Sequence, residues 1–253
     1  MRLAAALLLI WAATPATACP SDPFSKSPYQ KSAVDDPDAT GPVYRAWFDA
    51  PTDIYDHSAL GRSTHPRVLH VNTPTGGSCG DEYTAGAQKV FEDVAPRLAD
   101  LDGDGINEVI VVRSHIRKGA QLAVYGMRGK HRFGLIAATR FLGQAGQWLA
   151  PAGIADFDGD GRPEIAYVER PDDLGDLVLV RLDGSRLVET LRLGGVSNHR
   201  VGDAFISGGL RDCGQEPELV LSSKDWTRLM LFRNGSLEDV GPMPASGLVI
   251  PPC

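Results

Sequence analysis

Residues 100–108 read DLDGDGINE, and residues 156–164 read DFDGDGRPE. Each stretch holds four carboxylates: Asp100, Asp102, Asp104 and Glu108 in the first, Asp156, Asp158, Asp160 and Glu164 in the second. Carboxylates packed this densely repel one another unless something positive sits among them. Three readings compete: an EF-hand, a different calcium loop, or a solvated acidic turn. An EF-hand needs a bidentate Glu at loop position twelve and helices on both sides. Position twelve is Val111 in the first loop and Tyr167 in the second, and Glu108 is followed by the β-branched run VIVV. The EF-hand reading fails in both copies. A single DGDG would fit a solvated turn, but two copies of one nine-residue pattern, each entering an apolar run, favour a metal loop.

Calcium takes six to eight oxygen ligands at flexible geometry. In Asp-x-Asp-x-Asp-Gly, alternate side chains converge on one point and the glycine permits the sharp turn. The expected ligands are Asp100, Asp102, Asp104, the backbone carbonyl of Ile106, and Glu108. Their counterparts are Asp156, Asp158, Asp160, the carbonyl of Arg162, and Glu164. Two structural Ca²⁺ ions are expected, since neither loop holds a histidine and every ligand position is already used.

The loops belong to a longer repeat. APRLADLDGDGINEVIVV (95–112) matches PAGIADFDGDGRPEIAYV (151–168), with Asp100 on Asp156. A decayed copy, ISGGLRDCGQEPELVL (206–221), keeps the frame and Asp212 but loses the other aspartates, so it should bind no metal. A fainter copy is expected at STHPRVLHV (63–71), which has no acidic loop before it. After each loop come short apolar or alternating runs divided by Gly, Asp and Asn. EVIVV, QLAVYGM and GLIAATRFL follow the first; EIAYVER, DLVLVRLDG and RLVETLRLGG follow the second; PELVLSS, RLMLFRNG and SLEDVG follow the third. Four short strands per roughly 55 residues is a propeller-blade pattern. GAQKVFEDVAPRLADL has helical spacing at Val90, Phe91, Val94 and Leu98, but Pro96 interrupts it, and it reads as a blade's first strand. The fold class is therefore all-β: a small β-propeller of about four, or five, four-stranded blades with calcium loops. The tail GLVIPPC is a candidate closing strand.

The pattern of apolar strand, D-h-D-G-D-G-x-x-E and apolar strand resembles the FG-GAP repeats, also called VCBS repeats, of integrin α N-terminal propellers and many secreted bacterial proteins. The match is specific at 95–112 and 151–168 and partial at 206–221. VFEDVAPRLADLDGDG, WLAPAGIADFDGDGRPEIAYVERP and GGLRDCG are similar to small secreted bacterial propeller proteins. The resemblance implies a propeller with calcium on blade loops, in a chain shorter than the usual six to eight repeats.

The first 18 residues, MRLAAALLLIWAATPATA, have one Arg, an apolar core from Leu3 to Ala13, and an Ala-x-Ala end. This is the layout of a secretory signal peptide. The expected organisation is signal peptide 1–18, an extended arm 19–42 rich in Pro, Ser and Asp, and a propeller over 43–253. No stretch is apolar over a bilayer's width, so no transmembrane segment is expected. Export to the periplasm or cell exterior is expected, with lipid attachment at Cys19 as the alternative. In an oxidising compartment Cys19, Cys79, Cys213 and Cys253 allow two disulfides. Cys19–Cys253 would fasten ring closure, and Cys79–Cys213 would tie the first unit to the last. The formal charge is −7, or −8 once Arg2 leaves with the leader, with no basic run. Nucleic acid is excluded as a natural partner, and a monomer is expected.

The chain has no HExxH, no G-x-S-x-G and no phosphate-cradling glycine loop. The six histidines show no metal-ligand spacing. His199, in VSNHRVGD, is expected to open the first strand of the third repeat, with His57 in a similar place. Trp47, Trp148 and Trp226 are expected to be packing residues. Two function classes remain. One is a noncatalytic module for a protein or glycan ligand. The other is a polysaccharide hydrolase or lyase, whose distinguishing feature would be a cluster of His, Arg, Tyr and carboxylates at one channel mouth; His57, His199, Arg200 and Arg211 are the candidates.

Overall fold

Alternating and β-branched runs give strands almost throughout the chain. A computed structural model describes residues 23–36, 38–39, 41–73, 80–129, 132–214 and 216–252. Its described residues form four antiparallel sheets, each built from one continuous stretch of chain. The first sheet has the order β1 (Val34–Asp35), β2 (Arg45–Thr52), β3 (His65–Val71), β4 (Asp81–Thr84). In the second, β5 (Lys89–Phe91) and β6 (Arg97–Ala99) share the partner β7 (Glu108–His115), followed by β8 (Gly119–Met127) and β9 (Phe133–Ala138). The third runs β10 (Leu149–Ala155), β11 (Glu164–Glu169), β12 (Asp176–Asp183), β13 (Arg186–Gly194). In the fourth, β14 (Val196–Ser197) and β15 (Gly209–Arg211) share β16 (Glu218–Ser223), then β17 (Arg228–Arg233) and β18 (Ser236–Pro242). These meandering sheets of four or five strands are the blades of a small propeller, and the described residues supply four of them.

Packing explains the strand patterns. One apolar cluster joins the first and second sheets through Phe48, Leu69, Phe91, Val109 and Val111. A second joins the second and third through Ile110, Val112, Leu122, Ile165 and Val178. The last joins the third and fourth through Ala166, Val168, Leu219, Leu221 and Phe232. Middle strands are covered on both faces, so β7, β8, β11 and β16 read as nearly continuous apolar runs. The outermost β13 alternates between exposed and half-buried positions. The second and third blades also share a register shift at the same place, Val124/Tyr125 and Leu179/Val180.

Several expectations change. The described residues of 19–42 are not simply extended: a helical turn (Pro23–Lys26), a 3-10 turn (Gln30–Ser32) and β1 fold onto the first blade. Ser27 Oγ donates to the Phe48 carbonyl at 2.9 Å, and the Phe48 N–H donates to Ser32 Oγ at 2.9 Å. STHPRVLHV supplies β3, the third strand of its blade, so it is no counterpart of 95–112. GAQKVFEDVAPRLADL forms two strands, not one, with residues 92–96 looped out between them. Pro96 lacks the N–H that a continuous ladder would use. The tail Leu248–Pro252 forms no strand; Leu248 and Ile250 instead pack beside Gly208 and Gly209. Among the described residues no sheet mixes strands from the two ends of the chain. First and fourth blades meet through loops, where the Gly202 N–H donates to the Ala59 carbonyl at 2.8 Å. Gly61 faces that contact with φ +64°, and a Cβ there would lie 2.3 Å from the Gly202 oxygen. Only glycine tolerates both conditions.

Candidate metal centre

Both acidic loops occupy one place in the fold, joining the first and second strands of a blade. The first joins β6 to β7, and the second joins β10 to β11. The apolar residue in each D-h-D anchors the loop. Leu101 enters the core between the second and third blades, and Phe157 packs edge-on to Phe232 at 5.8 Å. The glycines turn the chain, with φ near +80° at Gly103, Gly105, Gly159 and Gly161. Asp100 Oδ1 accepts the N–H groups of Gly103 and Asp104, and its Oδ2 accepts that of Gly105 at 2.9 Å. Asp156 makes the same three contacts with Gly159, Asp160 and Gly161.

Each loop brings three carboxylates together. Ligand oxygens of Asp100, Asp102 and Glu108 lie within 4.8 Å of one another, as do those of Asp156, Asp158 and Glu164. Asp104 and Asp160 stand outside these triads. Each accepts an N–H two residues on, from Ile106 and Arg162, at 2.8 and 2.9 Å. The Arg162 side chain turns away and donates to the Leu182 carbonyl at 2.8 Å.

The glutamates lie under the loops, 2% exposed at Glu108 and 1% at Glu164. Glu108 Oε2 accepts the Leu101 N–H at 2.9 Å, and Glu164 Oε2 accepts the Phe157 N–H at 3.0 Å. Burial, together with the charges of Asp102, Asp104 and Asp100, pushes the Glu108 carboxyl up to about 7, although the Leu101 N–H opposes this. Burial and the charges of Asp158 and Asp160 also raise Glu164, opposed by the Phe157 N–H and Arg181. A buried glutamate beside two aspartates suits a hard, oxygen-loving divalent cation. Glu164 Oε1 is buried and accepts no hydrogen bond; the nearest positive group is Arg181 Nη1, at 3.5 Å, a place such an ion could take.

Sequence reading missed the cross-strand neighbours of these glutamates. Arg181 pairs with Glu164 in the β11–β12 ladder. Its Nη1 contacts Asp160 and lies 3.6 Å from Asp158 and 3.5 Å from Glu164. The equivalent position in the second blade is Gly126, whose added Cβ would sit 2.9 Å from Glu108 Oε1. In the fourth blade Glu218 takes the glutamate's place and is held by Arg211 at 2.5 Å and Arg233 at 3.3 Å. Asp212 accepts the Gly214 N–H at 2.8 Å. The first blade also has a loop here, joining β1 to β2 across residues 36–44. Asp36, Asp38 and Gly41 in DPDATGPVY fall on Asp100, Asp102 and Gly105, a pattern that was available in the sequence. Asn107 Nδ2 donates to Asp36 Oδ2 at 2.6 Å, joining this loop to its neighbour.

A second polar cluster forms where all four blades meet. The looped-out residues 92–96 put Glu92 and Asp93 there, both fully buried. Ser114 Oγ donates to Glu92 Oε2 at 2.5 Å, and Glu92 Oε1 contacts His57 Nδ1. Trp148 Nε1 donates to the Glu92 carbonyl at 2.8 Å. Asp93 takes both guanidinium nitrogens of Arg97 and the Val112 N–H. His57 lies in the β2–β3 connection, not in a first strand, and remains 23% exposed. Burial alone would lower the His57 ring, but the hydrogen bond and charge of Glu92, with Asp172 and Asp56, raise it. His199 follows β14, is buried against Trp148 at 4.8 Å, and is lowered by that burial. Arg200 and Arg211 do not join them: Arg200 covers the Trp226 ring at 4.2 Å, and Arg211 pairs with Glu218. Trp47 and Trp148 are buried packing residues, as expected. Cys19, Cys79 and Cys253 lie outside the described residues, and among those described no helix is long and apolar enough to cross a membrane.

No curated protein matches the chain. Residues 100–167, which run from the first aspartate of one loop into the strand beyond the other, match the family model of the FG-GAP-like repeat.

Proposed function

We propose that this chain is an exported, calcium-stabilised β-propeller that acts as a noncatalytic module binding a protein or glycan ligand. The observation that carries the calcium reading is the pair of carboxylate triads, each closed underneath by a buried glutamate. Asp100, Asp102 and Glu108 would hold one ion, and Asp156, Asp158 and Glu164 the other, with the Ile106 and Arg162 carbonyls close by in sequence. The ion supplies positive charge that lets the loop close on the strand ends; the chain supplies the anchors, Leu101 and Phe157. No catalytic group shares these loops, so the ions are structural. Export is supported by the leader pattern at 1–18 and by Cys213, which is bonded as a half-cystine. Non-reducing peptide mapping that joined Cys79 to Cys253 would sink the proposed Cys79–Cys213 and Cys19–Cys253 pairs. Mass measurement of the exported chain separates a free N-terminus from a lipid at Cys19.

Thermal melting tests the calcium reading. Calcium at about 100 times its Kd stabilises by about 2.7 kcal/mol per site, or roughly 5–10 °C for a chain this size. A melting temperature indifferent to chelator would end it. Glycan arrays and pull-downs from periplasmic or culture fluid then search for the ligand.

One observation favours a polysaccharide hydrolase or lyase as the second reading. His57 is partly exposed and carries a buried carboxylate on Nδ1, an arrangement that orients an imidazole for proton transfer. Turnover of a polysaccharide that His57→Gln abolished without lowering the melting temperature would move the assignment to that class.

A further inference from the structure

The second, third and fourth blades differ in how many aspartates join the loop glutamate and in what stands opposite it. In the second blade Glu108, grouped with Asp100 and Asp102, faces Gly126, which brings no charge. In the third, Glu164 and two aspartates face Arg181, whose guanidinium reaches Asp158, Asp160 and Glu164. In the fourth the aspartates are reduced to Asp212, and Glu218 is paired with Arg211 and Arg233. Arg233 follows Phe232, the cross-strand partner of Leu219, so it stands where Arg181 stands in the third blade. The fourth blade thus satisfies its glutamate with arginine and no longer needs a metal loop. The third blade has both the arginine and the metal ligands.

The geometry points to Arg181 as a built-in cation that competes with calcium for the 156–164 loop, which makes 100–108 the high-affinity site. The inference rests on the reading of both loops as calcium sites. Arginine is always charged, and its rigid fork matches carboxylate geometry. An ion entering the second loop must displace that guanidinium or share the carboxylates with it, and either costs affinity. An ion entering the first loop meets Gly126 and displaces nothing. Steric fit reinforces the difference, because any side chain at 126 would crowd Glu108 and Ile136.

The test is a site-resolved calcium titration of the full chain by NMR, following the amides of Gly105 and Gly161. Each donates to the first aspartate of its own loop, so each reports on one site. In the wild-type protein the Gly105 signal should saturate at calcium concentrations at least tenfold below those that saturate Gly161. In Arg181→Gln the Gly161 midpoint should fall tenfold or more, while the Gly105 midpoint stays put. Equal wild-type midpoints, or Gly161 saturating first, would overturn the inference while leaving both loops as calcium sites. A Gly161 midpoint unmoved in a folded Arg181→Gln would do the same. If neither amide responds to calcium, the calcium reading itself fails. The wild-type comparison decides the matter even if Arg181→Gln does not fold.

Discussion

The loops at 100–108 and 156–164 share a nine-residue pattern, the same backbone hydrogen bonds and a buried glutamate, yet they solve their charge problem differently. Beside Glu108 the neighbouring strand offers Gly126; beside Glu164 it offers Arg181. A buried carboxylate needs a counter-charge, and that charge can come from solution or from the next strand. The first blade that carries the full motif is therefore the one most dependent on its surroundings. The fourth blade, with arginine on Glu218 from two strands, is the least dependent.

The largest effects should come from the anchors, which the two loops have in common. Leu101→Ala should cost about 2–5 kcal/mol and Phe157→Ala about 3–5 kcal/mol, because each empties a packed site. Denaturant unfolding should show both losses undiminished by calcium. If calcium restored Leu101→Ala to the wild-type midpoint, ligation and not packing would be what seats the loop.

An intermediate effect separates the loops by pH. The Glu108 carboxyl sits at about 7 in the metal-free fold against an ordinary 4.5. A group raised in this way contributes stability below pH 4.5 and loses it as pH rises through 7, because the folded state then has to ionise it. In chelator, stability should fall across that window with a slope approaching about 1.4 kcal/mol per pH unit for the one proton involved. Glu108→Gln should flatten the fall, and so should saturating calcium, which prefers the ionised form. Glu164→Gln should change the profile less, since Arg181 already opposes the rise at Glu164. Equal responses from the two variants would erase the distinction between the loops.

The smallest effect belongs to the decayed loop. Asp212→Asn should move stability by no more than about 0.5 kcal/mol and leave the response to calcium unchanged. A lost calcium response would mean that the fourth blade still binds metal.

Much of this was legible in the sequence because it is local. The spacing of Asp100, Asp102, Asp104 and Glu108 announces the loop, and its recurrence at 156–164 announces the repeat. The β-branched runs after Glu108 and Glu164 become β7 and β11. The first blade was harder to read. Its loop keeps only Asp36, Asp38 and Gly41 of the pattern, and β1 is two residues long. Glu92 and Asp93 were hidden inside a stretch with helical spacing. Their burial follows from the interruption between β5 and β6, which places both acids where the blades converge.

By itself the sequence determined the all-β class, the repeat, and the two clusters of candidate ligands, since each depends on residues close together in the chain. Tertiary structure alone decided what faces those ligands. Gly126, Arg181 and Arg233 reach their glutamates across a ladder, and strand register, which pairs residues far apart in sequence, selects them. It also decided that His57 meets Glu92 while Arg200 and Arg211 find other partners, because that meeting needs two separate blades to converge on one point.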